Sequence, residues 1–192
     1  MSIIGVEKLY YAKLTEDDEI ALEYGSPVYL PGVQEIGVVP QVTTDKQFAE
    51  NKVWDQASTL GEVQVSIRRA DLTNEESAIL LGQTRAAEGG VFASADDEPP
   101  YIALLYKSNK SNGKMRYQVL YKGKLNLPEE TAQTKTDNTV FQEPTLSGVF
   151  QATKNNGLWQ YKVDSDDPDC PETIETDFFA EVIIPTEKVE GI

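Results

Sequence analysis

Six of the chain's 17 basic residues, Lys107, Lys110, Lys114, Arg116, Lys122 and Lys124, fall in one short stretch, and no acid lies between 107 and 128. Tyr106, Tyr117 and Tyr121 interleave with them. Cations with aromatics between them can neutralise phosphates and stack on bases. The rest of the chain opposes that use. Its 32 acids give a formal charge of -15 and a pI near 4.4, which repels a polyanion. A basic stretch on so acidic a chain fits better against the acidic surface of another copy, where it would set orientation and register.

The acids themselves suggest less chemistry. Asp164, Asp166 and Glu175 match the first, third and twelfth positions of a calcium loop, but Pro168 and Asp169 fill the fifth and sixth, where a ligand and glycine belong. A solvated acidic turn is the better reading, and no metal is expected. Asp96-Asp97-Glu98 precedes Pro99-Pro100 without a facing partner, so a glycosidase pair is disfavoured against a surface turn. Gly89-Gly90 lacks the Lys-Ser or Lys-Thr of a phosphate loop. The chain has no histidine, which removes the serine triad and the commonest neutral-pH base. The single cysteine, Cys170, leaves no intrachain disulfide and no thiolate zinc cluster. No catalytic, cofactor or metal site is expected, and a binding or structural protein is favoured over an enzyme.

The elements that must carry these residues are mostly strands. With 192 residues, 40% of them hydrophobic, the chain can form a core, and neither internal repeats nor a linker divide it. Residues 3–14 mix β-branched and aromatic side chains, and the acidic 15–19 stretch reads as a turn. Pro27, Pro31 and Pro40 make 26–43 an edge strand or a crossing between sheets. Residues 44–57 match neither the helical nor the strand period. Residues 58–70 alternate cleanly. Thr73 and Glu76 form a capping box before Ala78–Leu81, with Gly82 as a stop. A second short helix is expected from Pro171 to about Phe179. Asn112-Gly113 closes a hairpin over 101–127, residues 128–138 form a polar loop, and 140–153 and 158–163 are two further strands. The fold expected is mainly β, one domain over 1–192 with one flanking helix. No run is long and apolar enough to cross a membrane, and the N-terminus lacks the pattern of a signal peptide. A cytoplasmic site of synthesis is expected.

The segments IIGVEKLYYAKLTED, ADDEPPYIALLYK, SNGKMRYQVLYKGKLNLPEE and WQYKVD, taken together and in this order, resemble the major tail proteins of long-tailed phages, most nearly the phi13-type family. The similarity runs along nearly the whole chain and transfers no catalytic residue. It implies a tail-tube β-sandwich or barrel. It also implies hexameric rings stacked into a hollow tube that conducts double-stranded DNA, in a non-contractile tail. Its partners would be further copies of itself and the tape-measure, tail-terminator and distal-tail proteins. The resemblance makes 44–57 the candidate inter-ring loop, with Phe48, Val53 and Trp54 as anchors, and 181–192 a C-terminal arm. No appended decoration domain is expected. No cofactor and no membrane insertion follow from it. Other readings are the inner tube of a contractile tail or phage-like particle, and a monomeric β-sandwich binding module using Trp54, Trp159 and tyrosines as stacking platforms. An acid-catalysed hydrolase is the weakest.

Overall fold

Turn chemistry fixes many of the element boundaries. The structure, a computed structural model, describes residues 2–128 and 143–187, and all their side chains except those of Phe48, Ala49 and Val53. In chain order the elements are β1 (Ile3–Asp17), β2 (Leu22–Tyr24), β3 (Val28–Leu30), β4 (Val33–Ala49), β5 (Lys52–Arg69) and α1 (Asn74–Leu81). Then come β6 (Thr84–Arg85), β7 (Val91–Phe92), β8 (Ile102–Lys110), β9 (Met115–Leu125), β10 (Thr145–Gln151), β11 (Gln160–Asp164) and α2 (Ile174–Asp177). The described residues are mainly β, with two short helices among them, as the strand periodicities predict. Contacts divide it into two compact units.

The first unit comprises Met1–Val33, Pro100–Gly123 and Ala152–Ile192. Its strands run in the order β2-β1-β8-β9, with β3 also paired to β1 and β11 to β9. Every pair is antiparallel. The β8–β9 hairpin closes at Asn112-Gly113 as expected. Gly113 takes φ 77°, which a glycine adopts without Cβ strain, and its N–H donates to Lys110 O at 3.0 Å. β1 runs further than expected, through Thr15 to Asp17, because β2 pairs back onto it at Asp17 and Leu22. The turn moves to Asp18–Ala21, where the Asp18 carboxylate accepts from the Ile20 and Ala21 N–H groups, each at 2.7 Å.

One core of this unit gathers Ala12, Ala103, Leu105, Tyr117, Val119, Tyr121 and Val163 from the strands. The expected second helix shrinks to the four residues of α2. Its task is to set Ile174, Phe178 and Phe179 onto that core. Phe179 stacks on Tyr10 at 4.4 Å, and Phe178 meets Tyr117 at 5.2 Å between centroids. Val182 and Ile183 pack there too, and Ile183 O accepts from Tyr121 Oη at 2.8 Å. The start of the expected C-terminal arm is thus tied to its own unit, and 188–192 lie outside the described residues.

The second unit, Gln34–Pro99 with Lys124–Gln151, carries the strand order β10-β5-β4, helix α1 and the small β6–β7 pair. Val63, Val65 and Ile67 of β5 meet Phe150, Gly148 and Leu146 of β10 in register and are buried. The capping box forms as expected: Thr73 Oγ1 accepts from Glu76 N–H, and Glu76 Oε2 accepts from Thr73 N–H at 2.9 Å. Glu76 Oε1 also accepts from the buried Arg69 guanidinium at 2.7 Å, which anchors the helix start to β5. Gly82 ends the helix at φ 70°, and a Cβ there would collide with Glu98 O. Of the expected polar loop, all but Pro128 lies outside the described residues.

Candidate assembly surface

Residues 44–57, read from the sequence as aperiodic, are the end of a long hairpin. The turn is Glu50-Asn51, both left-handed at φ 53° and 60°, a pair that suits a two-residue connection between twisted strands. Neither residue is glycine, so the usual hairpin signal is missing. Pro40 sits within β4, which lies at the edge of its sheet, the position in a sheet where a proline is tolerated.

The end of the hairpin is bare on both faces. On β5, Val63, Val65, Ile67 and Arg69 are buried and the residues between them exposed, the pattern of a half-covered strand. From Gln41 to Thr59 every described side chain is exposed, whichever face it occupies. At ~3.3 Å per residue the bare part of β4 extends roughly 30 Å.

Cross-strand contacts show which face is which. A Cβ on Gly37 would stand 2.5 Å from Ser66 Oγ, and the Thr44 and Ser58 hydroxyls lie 3.3 Å apart. Strict alternation cannot hold over both intervals, since 37 to 44 is an odd step and 58 to 66 an even one. The half-buried Leu60 and the buried Val63 put the one-residue slip at Gly61-Glu62. Val42, Thr44, Ser58 and Leu60 then continue the core-facing side of β5 outward, and Trp54 lies nearer the turn. Val42 is 59% exposed there and Trp54 72%. The apolar side of the sheet runs past the end of the core that covers it.

The basic hairpin is arranged differently from the expectation. Lys107 pairs with Glu7 at 3.1 Å and Glu175 at 3.3 Å. Lys110 bridges Asp164 at 3.0 Å and Asp166 at 2.6 Å, and Arg116 holds Asp164 at 2.5 Å. The Lys122 ammonium meets Asp17 in a pair buried on both sides, and Tyr101 lies under it at 5.0 Å. Four of the six cations are therefore neutralised within the chain. Lys114 is exposed at the hairpin tip, and Lys124 is half-buried. The free cationic stripe that the spacing suggests is not present on the folded surface, because acids distant in sequence fold back onto it.

These pairs account for the acids singled out earlier. Asp164 and Asp166 converge on Lys110, and Glu175 turns to Lys107. Among the described residues no group of three or more His, Cys, Asp or Glu side chains is placed to hold a metal. Asp97 closes a surface turn, its carboxylate accepting from Ser94 N–H at 2.8 Å. Trp159 is half-buried, and its carbonyl accepts from Tyr121 N–H at 3.1 Å. Cys170 is half-buried beside the first unit's core, and burial pushes its thiol pKa up.

Asp17 is the residue that sequence reasoning missed. Besides Lys122 it accepts from the Lys154 N–H at 2.9 Å and the Asn155 N–H at 3.1 Å. Burial alone would raise its carboxyl pKa, but the ammonium and the two N–H groups outweigh it and hold the group below its ordinary value. No local signal marks such a residue, since its partners lie 105 or more positions away.

Comparison with known proteins agrees with a chain built to contact other chains. No curated protein matches the sequence. Residues 41–181 match a family described as phage tail tube protein, a stretch that begins within β4 and takes in the bare hairpin. That match covers most of the chain, so the protein belongs to the phage tail tube protein family and is a structural protein of the phage tail.

Proposed function

We propose that this chain is the major tube subunit of a long non-contractile phage tail. Six copies close a ring, rings stack into a hollow tube, and double-stranded DNA passes through it during ejection. The β4–β5 hairpin is the arm that reaches the adjacent ring, with Phe48, Val53 and Trp54 as its anchors and Lys114 free for a contact at the other hairpin tip. The C-terminal segment 181–192, whose start packs on its own unit, adds a second arm. Tape-measure, tail-terminator and distal-tail proteins bind the finished tube.

The observation that carries this reading is the row of exposed side chains along the β4–β5 hairpin, with the large apolar Val42 and Trp54 left without a cover. Such a row on a bare hairpin gains burial only when another chain supplies it, and large aromatics are the side chains that anchor interfaces. Negative-stain microscopy of concentrated protein tests the reading directly. Rings or tubes are expected from the native chain, and folded single subunits from Trp54→Ala. A native chain that stays monomeric at high concentration, or a Trp54→Ala variant that forms normal tubes, overturns it.

A further inference from the structure

An asparagine followed by glycine can be attacked through its side-chain amide by the next backbone nitrogen, because glycine has no Cβ to obstruct the approach. The chain holds two such pairs, Asn112-Gly113 and Asn156-Gly157. Both asparagines are exposed in turns of the first unit, with the glycines left-handed at φ 77° and 69°. In each, the asparagine Oδ1 accepts from the N–H two residues on, that of Lys114 or Leu158, at 3.1 Å. Such a turn folds the amide carbon back toward the next backbone nitrogen. Local sequence makes the two sites equal. Their surroundings do not.

At Asn156 a second donor reaches the same oxygen, the buried Thr153 hydroxyl at 2.6 Å. The Leu158 N–H requires an acceptor, so that atom is the amide oxygen, and Thr153 supplies the proton between the two oxygens. Thr153 Oγ1 also lies 3.1 Å from Leu158 O, the weaker of two demands on its one proton. Two donors on a carbonyl oxygen stabilise the negative charge that it gains when its carbon is attacked. The Gly157 N–H is bound to Thr153 O at 3.2 Å, the long end of the usual range. At Asn112 the arrangement opposes attack. Its Nδ2, which would have to leave, donates to Asp166 at 3.0 Å, and that carboxylate repels negative charge building beside it. The Gly113 N–H is held by Lys110 O at 3.0 Å.

We propose that Asn156 is a site of spontaneous deamidation in the folded protein, and that the fold protects Asn112. The Gly157 nitrogen gives its proton to hydroxide and bonds to Asn156 Cγ. The Cγ–Nδ2 bond breaks, and Nδ2 leaves as ammonia with a proton from water. Water then opens the five-membered imide at one of its two carbonyls. One opening leaves aspartate, and the other leaves isoaspartate, with the chain running through Cβ and Cγ. Isoaspartate adds a carbon to the backbone of a turn whose ends are joined by Thr153 N–H to Leu158 O at 2.9 Å. It thereby displaces the Lys154 and Asn155 N–H groups that hold Asp17. The change is one-way, so it accumulates with the age of the protein.

The test is to incubate purified protein in mild alkali, folded and in urea, and to score both sites by peptide mass. In the folded protein Asn156 is expected to convert about tenfold faster than Asn112, a smaller effect than an oxyanion donor has in a closed enzyme site. In urea the two should convert at equal rates. Equal rates in the folded protein, or a faster Asn112, overturn the proposal. Thr153→Val, which keeps the shape and removes the hydroxyl, should slow Asn156 about tenfold when folded and leave its rate in urea unchanged. No slowing, or the same slowing in urea, overturns the role of Thr153. If that variant does not fold, the ratio of the two sites in the native protein still decides. Hydrogen exchange at Lys154 and Asn155 should be about tenfold faster in the isolated isoaspartate fraction than in fresh protein. Unchanged exchange there overturns the link to Asp17.

Discussion

β8 and β9 bury nearly every side chain they carry, whereas β4 and β5 bury none of those described between Gln41 and Thr59. Both are antiparallel hairpins of one chain, and both mix charged with apolar residues. The first satisfies its charges at home: Lys107, Lys110, Arg116 and Lys122 all find acids within the same unit. The second leaves Val42 and Trp54 in water. The difference teaches that charge density in the sequence does not by itself leave free charge on the folded surface. What stays uncovered is the set of side chains that the chain's own core fails to reach.

The comparison can be broken most severely at Lys122. Lys122→Ala leaves Asp17 buried without its ammonium, and the loss of one partner of a buried pair costs about 3–5 kcal/mol. Denaturant unfolding of the monomer should show it. A loss below about 1 kcal/mol would mean that this hairpin holds its charges no more firmly than surface pairs do.

Acid gives a graded version of the same experiment. Asp164 is held well below its ordinary value, first by the Arg116 guanidinium and then by Lys110 against the opposing effect of burial, and Asp17 is lowered as well. A carboxyl lowered in the folded state contributes stability that is complete above its unfolded pKa, about 4. That stability is lost as pH falls through the folded value. Monomer stability should therefore be flat from about pH 7 to 5 and decline below about 4. Hydrogen exchange should show the first unit's strands opening earlier than the β5–β10 ladder. The reverse order would contradict the assignment of these ion pairs to the first hairpin.

Smaller effects belong to the bare hairpin. Glu50→Gly removes the Cβ strain of a left-handed non-glycine, worth about 1 kcal/mol before the added freedom of the unfolded chain is subtracted. A net gain of a few tenths is expected in the unfolding free energy. Trp54→Ala should change the monomer least, by under about 0.5 kcal/mol, because the indole touches water rather than a core. A drop of 2 kcal/mol or more would show that the hairpin packs on its own subunit.

Much of the scaffold was legible because its signals are local. Thr73 with Glu76, Gly82, Asn112-Gly113 and the edge position implied by Pro40 each act within a few residues of themselves. That 44–57 is the end of a long β hairpin was not legible, for two physical reasons. A hairpin bare on both faces has no core to impose a period, and Glu50-Asn51 adopts a turn that sequence normally announces with glycine. The continuation of β1 to Asp17 was hidden because β2 and Lys122, not propensity, hold an acidic strand end in place. The intrachain pairing of the basic residues was hidden for a similar reason. Glu7, Asp17, Asp164 and Glu175 are brought to them only by the completed sheet.

Pro40 has one more consequence. A chain made to associate in one arrangement must avoid associating in the others, and an exposed edge strand of 17 residues is an open template for cross-β stacking. A proline in that edge removes one donor from the row and fixes its own φ, so a second extended strand cannot zip along the whole length. Ordered contacts made through side chains are unaffected by the missing N–H. Pro40→Val would complete the row of donors, and concentrated protein should then convert to thioflavin-positive fibrils that the native sequence resists. Polymerisation into a tube and protection from amyloid would thus depend on the same strand, separated by a single imide.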